Sequence, residues 1–246
     1  MNEAMWLIGI DDTDMPDTRG TGRLARMLAA DLTARGYVCS GVTRHQLLVH
    51  PDVPYTSHNS AACVGVEDDK RNMARLFHWL CDYVAEQSPE GADPGLCVAP
   101  EEDVTEAVRR FGQRAAREVV SLSEAVGLGA SAGLLHAGLG GTRDGMIGAL
   151  AAVGLRATGD DGRFIELKRI REVEERPTVR RLLDAGVDEV TSRNGETPSS
   201  DETVETFGWL RPQLRGGRAV LFVERSEDDG TDWVIVQRRN AHSKHA

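Results

Sequence analysis

The sequence predicts an α/β chain, in the broad sense that includes α+β arrangements, with a larger body followed by a smaller α+β region. Three observations carry this. Short apolar runs alternate with amphipathic stretches along most of the length. The first run, Met5-Trp6-Leu7-Ile8-Gly9-Ile10, ends directly in Asp11, Asp12 and Asp14. A glycine-rich segment, Gly138-Leu139-Gly140-Gly141-Thr142-Arg143-Asp144-Gly145, opens onto a stretch of small apolar residues.

Each element follows from local pattern. Residues 5–10 read as a strand. Residues 20–34 carry Leu24, Met27, Leu28 and Leu32 at helical spacing, and Gly36 stands where a C-terminal helix glycine belongs. Residues 37–49 read as one strand or two short ones. Two prolines exclude regular pairing over residues 51–60, which read as a loop. Residues 61–66 return as a strand. Residues 72–86 form a helix with Met73, Leu76, Phe77, Leu80 and Val84 on one face.

A flexible link over residues 88–95 leads to a short strand at 96–99. Two helices follow, over 104–120 and 122–132. The helix over 146–154 is built almost wholly of small apolar residues, so it should be buried, with Gly154 as its end. Residues 163–168 read as a strand, and 177–185 as a helix with proline in its first turn. Residues 191–201 are polar and turn-rich. Closing strands over 219–225 and 233–238 flank Glu227-Asp228-Asp229-Gly230, a hairpin signal. A boundary is expected near residue 160, giving regions 1–160 and 161–240 and a disordered polar tail over 241–246.

Composition narrows the function classes. At 246 residues with 40% hydrophobic content, the chain can bury a sizeable core, and 5% aromatics leave its packing to Leu, Val, Ala and Ile. No run approaches the roughly 18 apolar residues of a membrane span. Met1-Asn2-Glu3-Ala4 lacks the basic flank of a secretory signal, so a cytoplasmic protein without membrane partners is expected. Cys39, Cys63, Cys81 and Cys97 show no metal or redox spacing. A net charge of −10 argues against a broad nucleic-acid footprint. Arg169, Arg171, Arg176, Arg180 and Arg181 are interleaved with Glu172, Glu174 and Glu175, the pattern of a solvated mixed-sign surface.

Three segments carry candidate chemistry. Asp11, Asp12 and Asp14 repel one another, and Thr21 lies seven residues beyond. A divalent cation, Mg²⁺ by preference for hard oxygens, would explain the cluster; a capping turn explains one aspartate and not three. The glycine segment can cradle an oxyanion at the following helix N-terminus, or serve only as a tight connection. It matches neither a Walker loop nor a clean G-x-G-x-x-G. Residues 55–60, with His58 and Asn59, offer dense donors and acceptors on a proline-bounded loop, or form an ordinary polar turn.

Ile8-Gly9-Ile10-Asp11-Asp12-Thr13-Asp14 resembles the opening of the archaeal 2-agmatinylcytidine synthetases, which modify the wobble cytidine of a minor isoleucine tRNA. The resemblance runs on through Gly20-Thr21, His50-Pro51-Asp52-Val53-Pro54-Tyr55, Asn59-Ser60-Ala61 and Asp93-Pro94-Gly95. It is strongest at Gly145-Met146-Ile147-Gly148-Ala149-Leu150-Ala151-Ala152-Val153-Gly154, and order is kept over about the first 170 residues.

The resemblance implies a kinase-like ATP-binding domain over 1–160 and a ferredoxin-like α+β domain over 161–240. It implies ATP and Mg²⁺ as cofactors, with Asp11, Asp12 and Asp14 at the metal and Thr21 as a covalent phosphate acceptor beside Asp11 and Asp12. Gly20, His58, Asn59, Gly140, Gly141, Asp144, Gly145 and Gly148 then form the nucleotide-binding set. The acceptor would be a small-molecule amine or a nucleic acid. Around Thr21 the family's Cys-Thr-Thr run is replaced by flanking Gly20 and Gly22. The family's OB-fold and zinc ribbon have no counterpart in these 246 residues, which leaves tRNA binding by this chain alone unsupported. A ferredoxin-like sheet edge would suit a homodimer.

Two other classes stay open. Asp12-Thr13-Asp14 after an apolar strand is also the pattern of a haloacid-dehalogenase-like phosphatase, for which the body of the chain offers only Lys70 and Lys168 as the lysine. A non-catalytic nucleotide-sensing or partner-binding module is the third reading.

Overall fold

The alternation of apolar runs and amphipathic stretches resolves into layered α/β architecture in the computed structural model, which describes residues 4–53, 59–68, 73–227 and 230–236. The first apolar run forms β1 (Ala4–Asp11), followed by α1 (Thr21–Ala34), β2 (Val38–Gln46), β3 (Ser60–Asp68), α2 (Met73–Gln87) and β4 (Gly95–Pro100). Then come α3 (Glu106–Ala115), α4 (Leu122–Ser131), β5 (Leu135–Gly138), α5 (Gly145–Ala157) and β6 (Arg163–Glu166). These elements fall in one of two units, Met1–Glu166 with Leu214–Gly217. The strands stand in the order β5-β4-β1-β3-β2-β6, each antiparallel to its neighbours.

Period-two alternation divides β1 between two cores. Trp6, Ile8 and Ile10 pack with Leu24, Leu28 and Leu32 of α1 and Leu76, Leu80 and Val84 of α2. Leu7 points to the opposite face, joining Val108 and Phe111 of α3 and Ala149, Leu150 and Val153 of α5. Gly9 lies in the same register, and a Cβ there would fall 2.2 Å from the Ala149 carbonyl oxygen. Helix α5 therefore rests on β1 backbone to backbone. Only its small-residue composition permits that approach, which explains why nearly the whole helix is buried.

Several boundaries differ from the sequence reading. Helix α5 continues past Gly154 to Ala157. Gly154 is a packing residue rather than a terminator: a Cβ on it would fall 2.3 Å from the Val108 carbonyl oxygen of α3. The helix expected over 104–120 starts after Thr105, whose hydroxyl caps it by accepting from Val108 N, and stops at Ala115. Beyond it, Arg117 N and Glu118 N both turn back to the Arg114 carbonyl oxygen. Strand β5 was not expected; four residues at a sheet edge leave no periodicity to read.

The second unit comprises Leu167–Gln213 and Arg218–Ala246. It contains α6 (Val179–Asp184), β7 (Glu189–Ser192) and β8 (Val204–Glu205). The chain then passes through β9 (Gln213–Arg215), beside β6, before β10 (Arg218–Arg225) and β11 (Trp233–Ile235) return to the second unit. The expected closing hairpin is present, with Val223 opposite Ile235 and Arg225 opposite Trp233. β7 lies parallel to β10, and β8 parallel to β11. Thr178 caps α6 by accepting from Arg181 N, so Pro177 precedes the cap instead of opening the helix. β7 and β8 are four and two residues long, too short to emerge from a polar, turn-rich stretch.

The arginine-rich stretch is ion-paired: Arg169 with Glu172, Arg176 with Glu205, Arg180 with Asp201 and Arg181 with Glu174. That matches a mixed-sign surface. All four cysteines are free thiols, and no described helix is long and apolar enough to cross a membrane. Asp228, Asp229 and the tail over 241–246 lie outside the described residues. Replacing Gly154 with valine should force α3 and α5 apart and cost about 3 kcal/mol or more, read as a lower denaturation midpoint at unchanged m-value.

Candidate functional site

The carboxylates after β1 meet the start of α5 at one cavity of about 300 Å³. Its walls include Asp11, Asp12, Asp14, Thr21, Asn59, Asp144, Gly145 and Gly148. Strand register brings them there. Asp11 is two residues beyond Gly9, on the face that meets α5, and its carboxylate lies over Gly148. A Cβ at 148 would fall 1.6 Å from Asp11 Oδ2, so only glycine leaves room for that side chain.

Asp12 adopts φ 53°, in the left-handed region that Asp tolerates better than most residues. The bend ends β1, and the Asp12 carbonyl oxygen accepts from Asp93 N at 3.2 Å. Asp14 is tied to the start of α1. Thr21 Oγ1 donates to Asp14 Oδ1 at 3.2 Å and accepts from Thr13 Oγ1 at 3.1 Å. Thr21 is buried, so this hydroxyl sits in a defined geometry between its two partners.

The glycine segment is organised by Asp93. Its Oδ1 accepts from Arg143 N at 2.7 Å and its Oδ2 from Asp144 N at 3.1 Å. The Thr142 hydroxyl stands within hydrogen-bond reach of both Asp93 Oδ2 and Asp144 Oδ2, the latter at 2.8 Å, and its single proton serves one of them at a time. A carboxylate of the protein thus occupies two of the amides that an external oxyanion would need. Gly20, Gly140 and Gly141 are not among the cavity walls; Asp144, Gly145 and Gly148 are. Asn59 lines the cavity with its Nδ2 bonded to the Leu48 carbonyl oxygen at 2.6 Å. His58 lies outside the described residues.

The sequence reading missed the apolar wall, formed by Leu47, Leu48, Val119, Val120, Leu122 and Ile147, and the rim carboxylates Asp52 and Glu118. These come from segments that no motif links, since Leu48 N meets the Ala115 carbonyl oxygen only in the folded chain. Asp93 carried a weak signal in the Asp-Pro-Gly turn ahead of β4.

Electrostatics sets the character of the cavity. No lysine, arginine or histidine is among its described lining residues. Burial pushes the Asp11 carboxyl up to about 7, with the charges of Asp12 and Asp14 adding to the shift against a bond from the Asp12 amide. Burial likewise raises Asp12 to about 6, reinforced by Asp93, Asp14 and Asp144. Among the described residues, no three His, Cys, Asp or Glu side chains converge closely enough to hold an ion as they stand. The donor chemistry nevertheless suits a hard cation, because the carboxylate oxygens of Asp11, Asp12, Asp14 and Asp144 crowd one pocket.

No protein-family model matches the chain. Individual proteins do. Over 182 residues it is 32% identical to the tRNA 2-agmatinylcytidine synthetase TiaS of Pyrococcus horikoshii, covering 71% of this chain and 41% of that protein. It resembles the agmatidine-forming synthetases. The Methanocorpusculum labreanum synthetase is also 32% identical, over 156 residues, covering 61% of this chain and 35% of that one. The crystal structure of a complex of TiaS with its tRNA and ATP matches with a TM-score of 0.53 at 29% identity, over 61% of this chain and 36% of that one. This chain spans about two fifths or less of the length of these synthetases, and it shares a mixed α/β architecture with the solved one over the matched part.

The raised carboxyls link stability to pH. An acid whose pKa is higher folded than unfolded favours the folded state below its unfolded value and loses that contribution as pH rises through the folded one. Without metal, the protein should therefore melt at progressively lower temperature from about pH 5 to pH 8. Asp11→Asn should flatten that dependence and raise the melting temperature at pH 8; thermal melts in EDTA across the range check this.

Proposed function

We propose that the chain binds ATP with Mg²⁺ at the carboxylate cavity and transfers a phosphoryl group there, as part of nucleic-acid or amine chemistry related to tRNA modification. The observation that carries this reading is the convergence of Asp11, Asp12, Asp14 and Thr21 with Asp144, Gly145 and Gly148 on one cavity. The match to a synthetase solved with tRNA and ATP supports it. In this reading residues 1–160 act as the kinase-like domain and 161–240 as the ferredoxin-like domain.

Each residue then has a task that follows from its surroundings. Asp11, Asp12 and Asp14 would hold the cation. When bound, the cation neutralises their charge and that of the phosphate oxygens, the main requirement of phosphoryl transfer. Thr21 is the acceptor: its Oγ1 forms the new bond to phosphorus as the bond from phosphorus to the ADP oxygen breaks. The hydroxyl proton passes to Asp14 Oδ1, already its hydrogen-bond acceptor at 3.2 Å. Gly148 keeps Asp11 at the cavity by leaving its carboxylate room. The apolar wall excludes water and accepts a flat base.

The phosphatase reading draws no comparable support. Lys168 is not among the cavity walls, and Lys70 lies outside the described residues.

Isothermal titration of the chain with ATP should give saturable binding in Mg²⁺ and none in EDTA. Asp12→Asn should weaken it at least ten-fold, whereas heat unchanged by the chelator would overturn the metal assignment. With γ-labelled ATP, the wild type should retain label on the protein and Thr21→Val should not. Saturable binding with no turnover would instead make the chain a nucleotide sensor.

A further inference from the structure

A second cavity, of about 400 Å³, shares no lining residue with the first. One wall is the polar face of α3 and the turn after it, with Glu106, Arg109, Gln113 and Arg117. The other is the end of α5 and the turn into β6, with Leu155, Thr158, Asp160 and Asp161. The close approach of the two helices fixes these walls. A Cβ on Gly112 would fall 2.7 Å from the Ala151 carbonyl oxygen, and Gly154 meets Val108 at the reciprocal contact. Positions 109 and 113 then project beside the end of α5, because residues four apart share a helix face.

The charged groups of this cavity are not equally engaged. Glu106 pairs with Arg110 at 2.9 Å. Asp161 Oδ1 meets Nδ1 of the buried His45 at 2.9 Å, and Asp160 Oδ1 accepts from Gly216 N at 2.8 Å. Thr158 Oγ1 donates to the Leu155 carbonyl oxygen at 2.6 Å. Arg114, on another face of α3, pairs with Glu118 and Glu124. Arg109 and Arg117 stand apart: among the described residues neither side chain makes a hydrogen bond or ion pair, and Arg109 Nε is buried without a partner. A buried, unsatisfied guanidinium nitrogen costs free energy unless a ligand supplies the acceptor.

We infer that this cavity binds a phosphoryl oxyanion through Arg109 and Arg117, with the Gln113 amide as a further donor. Guanidinium forks match phosphate oxygens bidentately, and each carboxylate on the walls already has a partner inside the protein. The phosphate can be a free one or a phosphodiester of an RNA strand. The site is independent of ATP binding at the first cavity, so either assignment can fail without the other.

The test uses the full chain in EDTA, where the first cavity has no lysine, arginine or histidine among its described lining residues to attract an anion. Inorganic phosphate should shift the Arg109 Nε–H resonance in a saturable manner, and Arg109→Gln with Arg117→Gln should weaken binding at least ten-fold at unchanged melting temperature. A single-stranded ribo-oligonucleotide forms the second arm. Tighter binding than phosphate, lost in the double variant, identifies the RNA backbone as the source, whereas phosphate binding alone identifies a free anion. If the double variant does not fold, Arg117→Gln, at an exposed position, carries the test with an expected loss of at least three-fold. The inference is overturned if neither ligand binds, or if the variants bind as well as the wild type.

Discussion

The contact on which the rest of the first unit depends is the seating of α5 directly on β1. Ordinary side chains hold stacked sheets about 10 Å apart, and they space a helix from a sheet in the same way. Gly9 removes the spacer on the strand, and the small residues of α5 remove it on the helix. Dispersion between two backbones replaces the usual interdigitated side chains. This also sets what the ends of both elements can do. Asp11 leaves β1 on the face where α5 begins, so the first carboxylate of the acidic motif lies over Gly148.

A second constraint is electrostatic. Asp11, Asp12, Asp14, Asp93 and Asp144 belong to three chain segments that packing draws together, and mutual repulsion adds to burial in raising Asp11 and Asp12. Asp93 discharges part of this by accepting the amides of residues 143 and 144, so a loop that reads as an oxyanion cradle is partly filled from within. The remaining acids face a cavity without a described basic residue. This crowding of acids is a property of the assembled unit rather than of the motif alone.

The same helix contacts explain how two cavities flank the end of α3. Ala115 and residues 118–122 face the acidic cavity, while Arg109, Gln113 and Arg117 face the other. The break in the helix after Ala115 makes this possible, since a continuous helix through residue 120 would keep these side chains on a single spiral. The two cavities differ sharply in the charge that lines them: carboxylates without a described lysine, arginine or histidine in one, two guanidiniums among paired carboxylates in the other.

By itself, the sequence determined most elements of the first unit, the burial of α5 and the three aspartates with Thr21, because these depend on local periodicity and on residue types crowded within a few positions. It also carried enough motif order to point to the agmatidine-forming synthetases. Tertiary structure alone decided that Gly154 packs a neighbouring helix instead of ending its own, since a glycine's role depends on what approaches it. The assignment of Asp93 to clamp the glycine segment and the apolar wall from residues 47–48 and 119–122 were likewise invisible beforehand. Contacts between residues about fifty or more positions apart leave no spacing to read; they arise when strand register and backbone approach bring those segments together.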